Sequence, residues 1–77
     1  MVVKAFVLIE VEVGESGNVA EKVRELDCVT SVNMVIGPYD VIAVIEVAEF
    51  EMVNGLVDRI QSVSGVHKTT TLLCAKF

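Results

Sequence analysis

Residues 29–47 read VTSVNMVI-GPYD-VIAVIEV. Two runs rich in Val and Ile flank Gly37-Pro38-Tyr39-Asp40. Pro presets φ and glycine tolerates backbone that other residues avoid, so the four residues break the chain sharply. The second run, residues 41–47, is short, β-branched and bounded by turn residues, as a buried strand requires. The stretch therefore reads as two antiparallel strands, 29–36 and 41–47, joined as a hairpin. A hairpin alone is marginal in water, so its fold class depends on what lies on either side.

On the C-terminal side, Val53, Leu56, Val57, Ile60 and Val63 recur at helical spacing within residues 49–64. Glu49 and Glu51 fall where a helix dipole favours acids, and Gly65 supplies the stop. Gly55 costs such a helix ~1 kcal/mol relative to Ala, which suggests a close approach by a strand. Residues 66–76 form a last strand. On the N-terminal side, residues 2–13 alternate: Val3, Ala5, Val7, Ile9, Val11 and Val13 share one face, and Val2, Lys4, Phe6, Leu8, Glu10 and Glu12 the other. Gly14–Gly17 turn the chain. Asn18 and Glu21 then resemble a capping box ahead of Val19, Val23 and Leu26. The order β-α-β-β-α-β predicts a ferredoxin-like α+β sandwich, an antiparallel four-stranded sheet with both helices on one face. The other face is left bare. Phe6 and Leu8, with Ile42 and Val44, place apolar groups at its centre, and the direct expectation is a dimer packed sheet to sheet.

Composition narrows the function classes. The chain has 77 residues, 53% of them hydrophobic, a mean hydropathy of +0.65 and a net charge of −5. That is a single domain spanning residues 1–77, which buries only ~60% of its unfolded surface and gains from oligomerising. No apolar run approaches the ~20 residues of a membrane span, and no signal peptide is legible, so a cytoplasmic location is expected. The cations Lys4, Lys22, Arg24, Arg59, Lys68 and Lys76 are scattered, and direct nucleic-acid binding, which needs a basic patch, is not expected.

Candidate chemistry is sparse. Cys28 and Cys74 form no C-x-x-C pair, and with His67 alone no metal site or cofactor is expected. Both cysteines read as structural, Cys74 as a small core residue on the last strand. His67 lacks a nucleophile and an orienting acid, so it reads as a surface residue. The loop after the first strand has no arginine for a phosphate clamp, and the third strand has none of the aromatic and basic residues of an RNA-recognition module. Two local features remain: the turn Gly37-Pro38-Tyr39-Asp40, and Thr69-Thr70-Thr71, where alternation puts the Thr69 and Thr71 hydroxyls on one side.

Those two features together resemble a known family. Gly37-x-Tyr39-Asp40 followed by VIAVIEV is similar to the G-x-[YF]-D-plus-strand pattern of the effector domain of Lrp/AsnC transcription regulators. Gly65-Val66-x-x-Thr69-x-Thr71 is similar to that domain's closing segment, and Ala5-Phe6-Val7 to its opening strand. The resemblance covers essentially the whole chain and implies a RAM domain, which forms sheet-to-sheet dimers (the dimeric α+β barrel) and higher oligomers up to octamers. It further implies a crevice between dimers that binds a free amino acid or related metabolite, with Gly37, Tyr39, Asp40, Thr69 and Thr71 as ligand-binding residues. Asp40 would accept from an ammonium, and the threonines would bond the polar end. The chain starts at the first effector-domain strand, as stand-alone modules of this type do. Its expected role is thus an effector-binding module, not an enzyme. It would act on transcription indirectly, by assembly with itself or with a full-length Lrp/AsnC regulator. The alternatives are a structural hetero-oligomerisation module and a small dimeric α+β-barrel enzyme.

Overall fold

The computed structural model describes residues 2–75. Six elements follow the expected order: β1 (Val3–Val11), α1 (Ser16–Arg24), β2 (Val29–Met34), β3 (Val41–Val47), α2 (Met52–Gln61) and β4 (Val66–Leu73). The sheet order is β2-β3-β1-β4, and every neighbouring pair is antiparallel. The fold is the expected ferredoxin-like α+β sandwich.

The alternation read from β1 holds within Val3–Val11, whereas Val13, expected on the same face, lies past the strand's end and is fully exposed. Ala5, Val7 and Ile9 are fully buried, and their partners across β3 (Ile45, Ala43 and Val41) are buried with them. Val19, Ala20 and Val23 of α1 and Val53, Leu56 and Ile60 of α2 close this core from one side. On the opposite face Phe6 pairs with Val44 and Leu8 with Ile42, all four half-buried. Leu72 of β4 stands beside Phe6 and is 51% exposed. Lys4 and Glu46 bound this patch at one end and Glu10 and Lys68 at the other.

Element ends differ from the periodic reading, each for a local reason. α1 starts at Ser16 because the Val19 N–H already reaches the Glu15 carbonyl at 2.9 Å. The Asn18 capping box does not form: Asn18 lies inside the helix and its amide meets Glu15 Oε1 at 3.4 Å. α2 starts at Met52, since residues 49–51 form tight turns with Met52 N–H on the Glu49 carbonyl and Val53 N–H on that of Phe50. Glu49 and Glu51 therefore both precede the first helical turn, Glu51 as the N-cap residue. β1 ends at Val11, where the register with β4 slips between Glu10 and Val11. β2 ends at Met34, leaving Val35 and Ile36 in the hairpin tip. β4 ends at Leu73, and Cys74 beyond it is exposed rather than a core residue. Lys76, the end of the expected last strand, lies outside the described residues. No strand crowds Gly55, where an added Cβ would meet nothing within 4 Å.

The two helix-to-strand turns are built alike. Leu26 and Val63 N–H groups close them on Val23 and Ile60 carbonyls at 3.1 Å. Each then passes through positive φ, +72° at Cys28 and +99° at Gly65. The Cys28 carbonyl accepts from Glu46 N–H at 2.9 Å, and that of Gly65 from Glu12 N–H at 2.8 Å. At Gly65 a Cβ would sit 3.0 Å from Val19 Cγ2 and 3.1 Å from Glu15 Cβ. Left-handed backbone costs an L-residue ~1–2 kcal/mol, and glycine's extra chain entropy returns ~0.5–1 kcal/mol of that. Gly65→Ala is expected to lower stability by about 1–3 kcal/mol, whereas Cys28→Gly raises it by up to about 1 kcal/mol. Urea unfolding of the two variants at matched concentration checks the opposite signs.

Candidate functional site

The hairpin tip is fastened by one residue. The Asp40 backbone N–H donates to the Ile9 carbonyl at 2.9 Å, and its own carbonyl accepts from Val35 N–H at 2.9 Å. Its side chain turns back on β1, where Oδ2 accepts from the Val11 N–H at 2.9 Å. That N–H lies at the register slip, where the regular ladder to β4 is interrupted, so the carboxylate takes up a donor the sheet leaves over. Asp40 thus clasps the end of β1, and its second oxygen remains available to accept from another donor. Beyond it Tyr39 is half-buried, Gly37 and Pro38 are exposed, and Gly37 has φ +153°.

On the other side of β1, Thr69 pairs with Ile9 and Thr71 with Val7. Both threonines lie on the helix side of the sheet and are half-buried, while Thr70 pairs with Leu8 and faces the open side. Gln61, the last residue of α2, donates from Nε2 to Thr69 Oγ1 at 2.7 Å. The Thr69 hydroxyl keeps its proton free to donate elsewhere. Gln61 had no mark in the sequence. It reaches Thr69 because residues 62–65 reverse the chain from α2 directly into β4, a geometry that helical periodicity does not express. At the same end His67 Nδ1 stands 3.2 Å from Glu12 Oε2, an exposed pair.

Gly37, Tyr39, Asp40 and Thr69 therefore lie toward one end of the sheet, Thr71 stands opposite the middle of β1, and the five do not surround one point. Asp40 and Thr69 flank Ile9, one from the β3 side and one from the β4 side, about 10 Å apart at two strand spacings. Two clefts lie elsewhere. One, of about 350 Å³, opens between the start of β2, the end of β3 and α2; the other, of about 390 Å³, follows the β2 edge beside Arg24. Among the described residues no group of three His, Cys, Asp or Glu is placed to hold a metal ion, and no helix is long and apolar enough to cross a membrane.

A four-stranded antiparallel sheet with helices on one face, a clasped β2–β3 turn and a threonine-bearing last strand define the class. The family model for the Lrp/AsnC ligand binding domain matches residues 4–76, and the chain belongs to that family. It is 32% identical over 72 residues to the HTH-type transcriptional regulator FL11 of Pyrococcus furiosus, a match over 94% of this chain and 48% of that protein. The chain thus spans about half the length of that curated relative. Among solved structures it is similar to TTHA0845 from Thermus thermophilus, with 34% identity, a TM-score of 0.91 and 97% and 95% of the two chains covered. The fold is shared with the transcriptional regulator NMB0573 from Neisseria meningitidis, solved as a complex with L-Met. There the identity is 19%, the TM-score 0.84, and the coverage 96% of this chain and 50% of that one.

Because Asp40 anchors the turn, its substitution changes folding as well as any contact made at the tip. Asp40→Ala leaves the Val11 N–H without its acceptor and is expected to cost about 1–3 kcal/mol. Asp40→Asn keeps an acceptor and should restore most of that. Urea denaturation of both, with amide exchange read at Val11, checks the difference.

Proposed function

We propose that this domain is a small-molecule effector-binding module. It takes a free amino acid or related metabolite at a site completed by a neighbouring copy. The observation that carries the reading is the arrangement around Ile9: in a chain of the Lrp/AsnC ligand binding family, Asp40 and Thr69 stand on either side of one strand end with Gly37 exposed beyond them. Gly37 lets a ligand approach the backbone, the second Asp40 oxygen accepts from an ammonium, and the Thr69 and Thr71 hydroxyls bond the polar end. Tyr39 supplies apolar surface. The relative solved with L-Met supports the ligand class.

Assembly is the other half of the proposal. Phe6, Leu8, Ile42 and Val44 form the contact between two copies, sheet against sheet, and dimers associate further around the hairpin tips. Ligand favours the assembly that completes its pocket, and by linkage the assembly raises the affinity for ligand. The domain acts in the cytoplasm and catalyses nothing. Its effect on transcription passes through other subunits, a full-length Lrp/AsnC regulator among them. Its charge of −5 is unsuited to binding DNA by itself.

A thermal-shift panel of the common amino acids tests this. A ligand at 100 times its dissociation constant stabilises the native state by ~2.7 kcal/mol, and a domain of this size shifts by ~4–8 °C per kcal/mol. One or a few amino acids should raise Tm selectively, and Thr71→Val should reduce the response. Phe6→Glu should lower the oligomeric state in sedimentation velocity and weaken the same response. A flat panel with the oligomer intact would contradict effector binding and favour a module that serves assembly alone.

A further inference from the structure

Gly55 has no packing role in this chain. It sits inside α2, where glycine is the costliest residue after proline, and an added Cβ would meet nothing within 4 Å. The space it leaves open belongs to a cleft of about 350 Å³, within the range of small-ligand sites. Buried Val47 and Leu56 give the cleft apolar groups, and Met52, 46% exposed, adds a flexible wall. Asp27 and Arg59, both exposed, bring one charge of each sign to the lining. Among the described residues the only ion pair within 4 Å is Glu12–His67, so neither charge here is taken up by a partner.

We infer that this cleft is a second small-molecule site, and that its ligand is a small aliphatic zwitterion. The carboxylate of the ligand meets the Arg59 guanidinium, which can hold it with two N–H groups, and its ammonium meets Asp27. The aliphatic part rests on Val47, Leu56 and Met52, and the bare Cα of Gly55 gives it room. At ~30 Å³ per non-hydrogen atom the cleft takes about twelve such atoms. Unlike the hairpin site, it is lined by one chain and needs no neighbouring copy. It is also remote: Val47 pairs with Val3 and Thr69 with Ile9, six residues apart along β1 and about 20 Å at strand rise.

The test is a titration of the wild-type protein with L-leucine, followed by amide NMR resonances. Saturable shifts at Asp27, Gly55 and Arg59 are expected, independent of any change at Gly37, Tyr39 and Thr69. 4-Methylpentanoate and isoamylamine, each leucine without one of its two charges, should bind about tenfold or more weakly, as should L-leucine to Arg59→Gln. Gly55→Leu extends into open space with a better helix former, so it should fold and lose the cleft shifts while keeping those at the hairpin. Shifts confined to the hairpin, or cleft shifts that survive Gly55→Leu, would overturn the assignment. Loss of the hairpin response alone would count against the effector site and leave this one standing.

Discussion

β1 and β3 are apolar on both faces, and the two helices cover only one. Everything else in the molecule follows from that imbalance. On the covered side Ala5, Val7 and Ile9 meet Ile45, Ala43 and Val41 beneath α1 and α2, which is where a small chain finds its core. On the bare side Phe6, Leu8, Ile42 and Val44 stay half-buried, and Leu72 extends the patch toward the β4 edge. Such a surface on so small a domain gains more from a second copy than from water. In the proposed reading assembly completes the fold, and the effector site proposed between copies inherits its dependence on that completion.

The hairpin end shows how local structure serves this arrangement. β1 must leave the sheet near Val11, and the register slip there frees a backbone donor. Asp40 accepts from that donor and ties the β2–β3 turn to the strand end through its own N–H as well. The turn that carries Gly37 and Tyr39 is thereby held by the same strand that Thr69 borders from the other side. Gln61 adds a bond from α2 to Thr69, so each of the three layers of connectivity (hairpin, central strand, helix end) fixes part of the same rim.

Strand order, helix order and the two faces of β1 were legible in the residues because burial imposes a strict period on each. The periodic signal fails at element ends, where hydrogen bonding takes over. Asn18 has the chemistry of a cap, yet the helix begins two residues earlier because the Glu15 carbonyl is already in place for Val19. Gly55 suggested a crowded approach and borders open space instead, since glycine marks either condition equally well. Cys74 followed the alternation of β4 but lies past the strand's last residue. At the candidate site the motif residues could be named from their order along the chain. Asp40's bond to Val11 and Gln61's to Thr69 could not, because both join segments whose relative placement only the folded sheet determines.

The central claim is that effector affinity and assembly are two expressions of one equilibrium. Isothermal titration of the amino acid selected by the panel, repeated at protein concentrations above and below the oligomer's dissociation midpoint, measures that coupling directly. The account predicts affinity that rises with protein concentration, together with heats that include association. Equal affinity across the series, with the oligomer demonstrably dissociating over it, would contradict a site completed between copies.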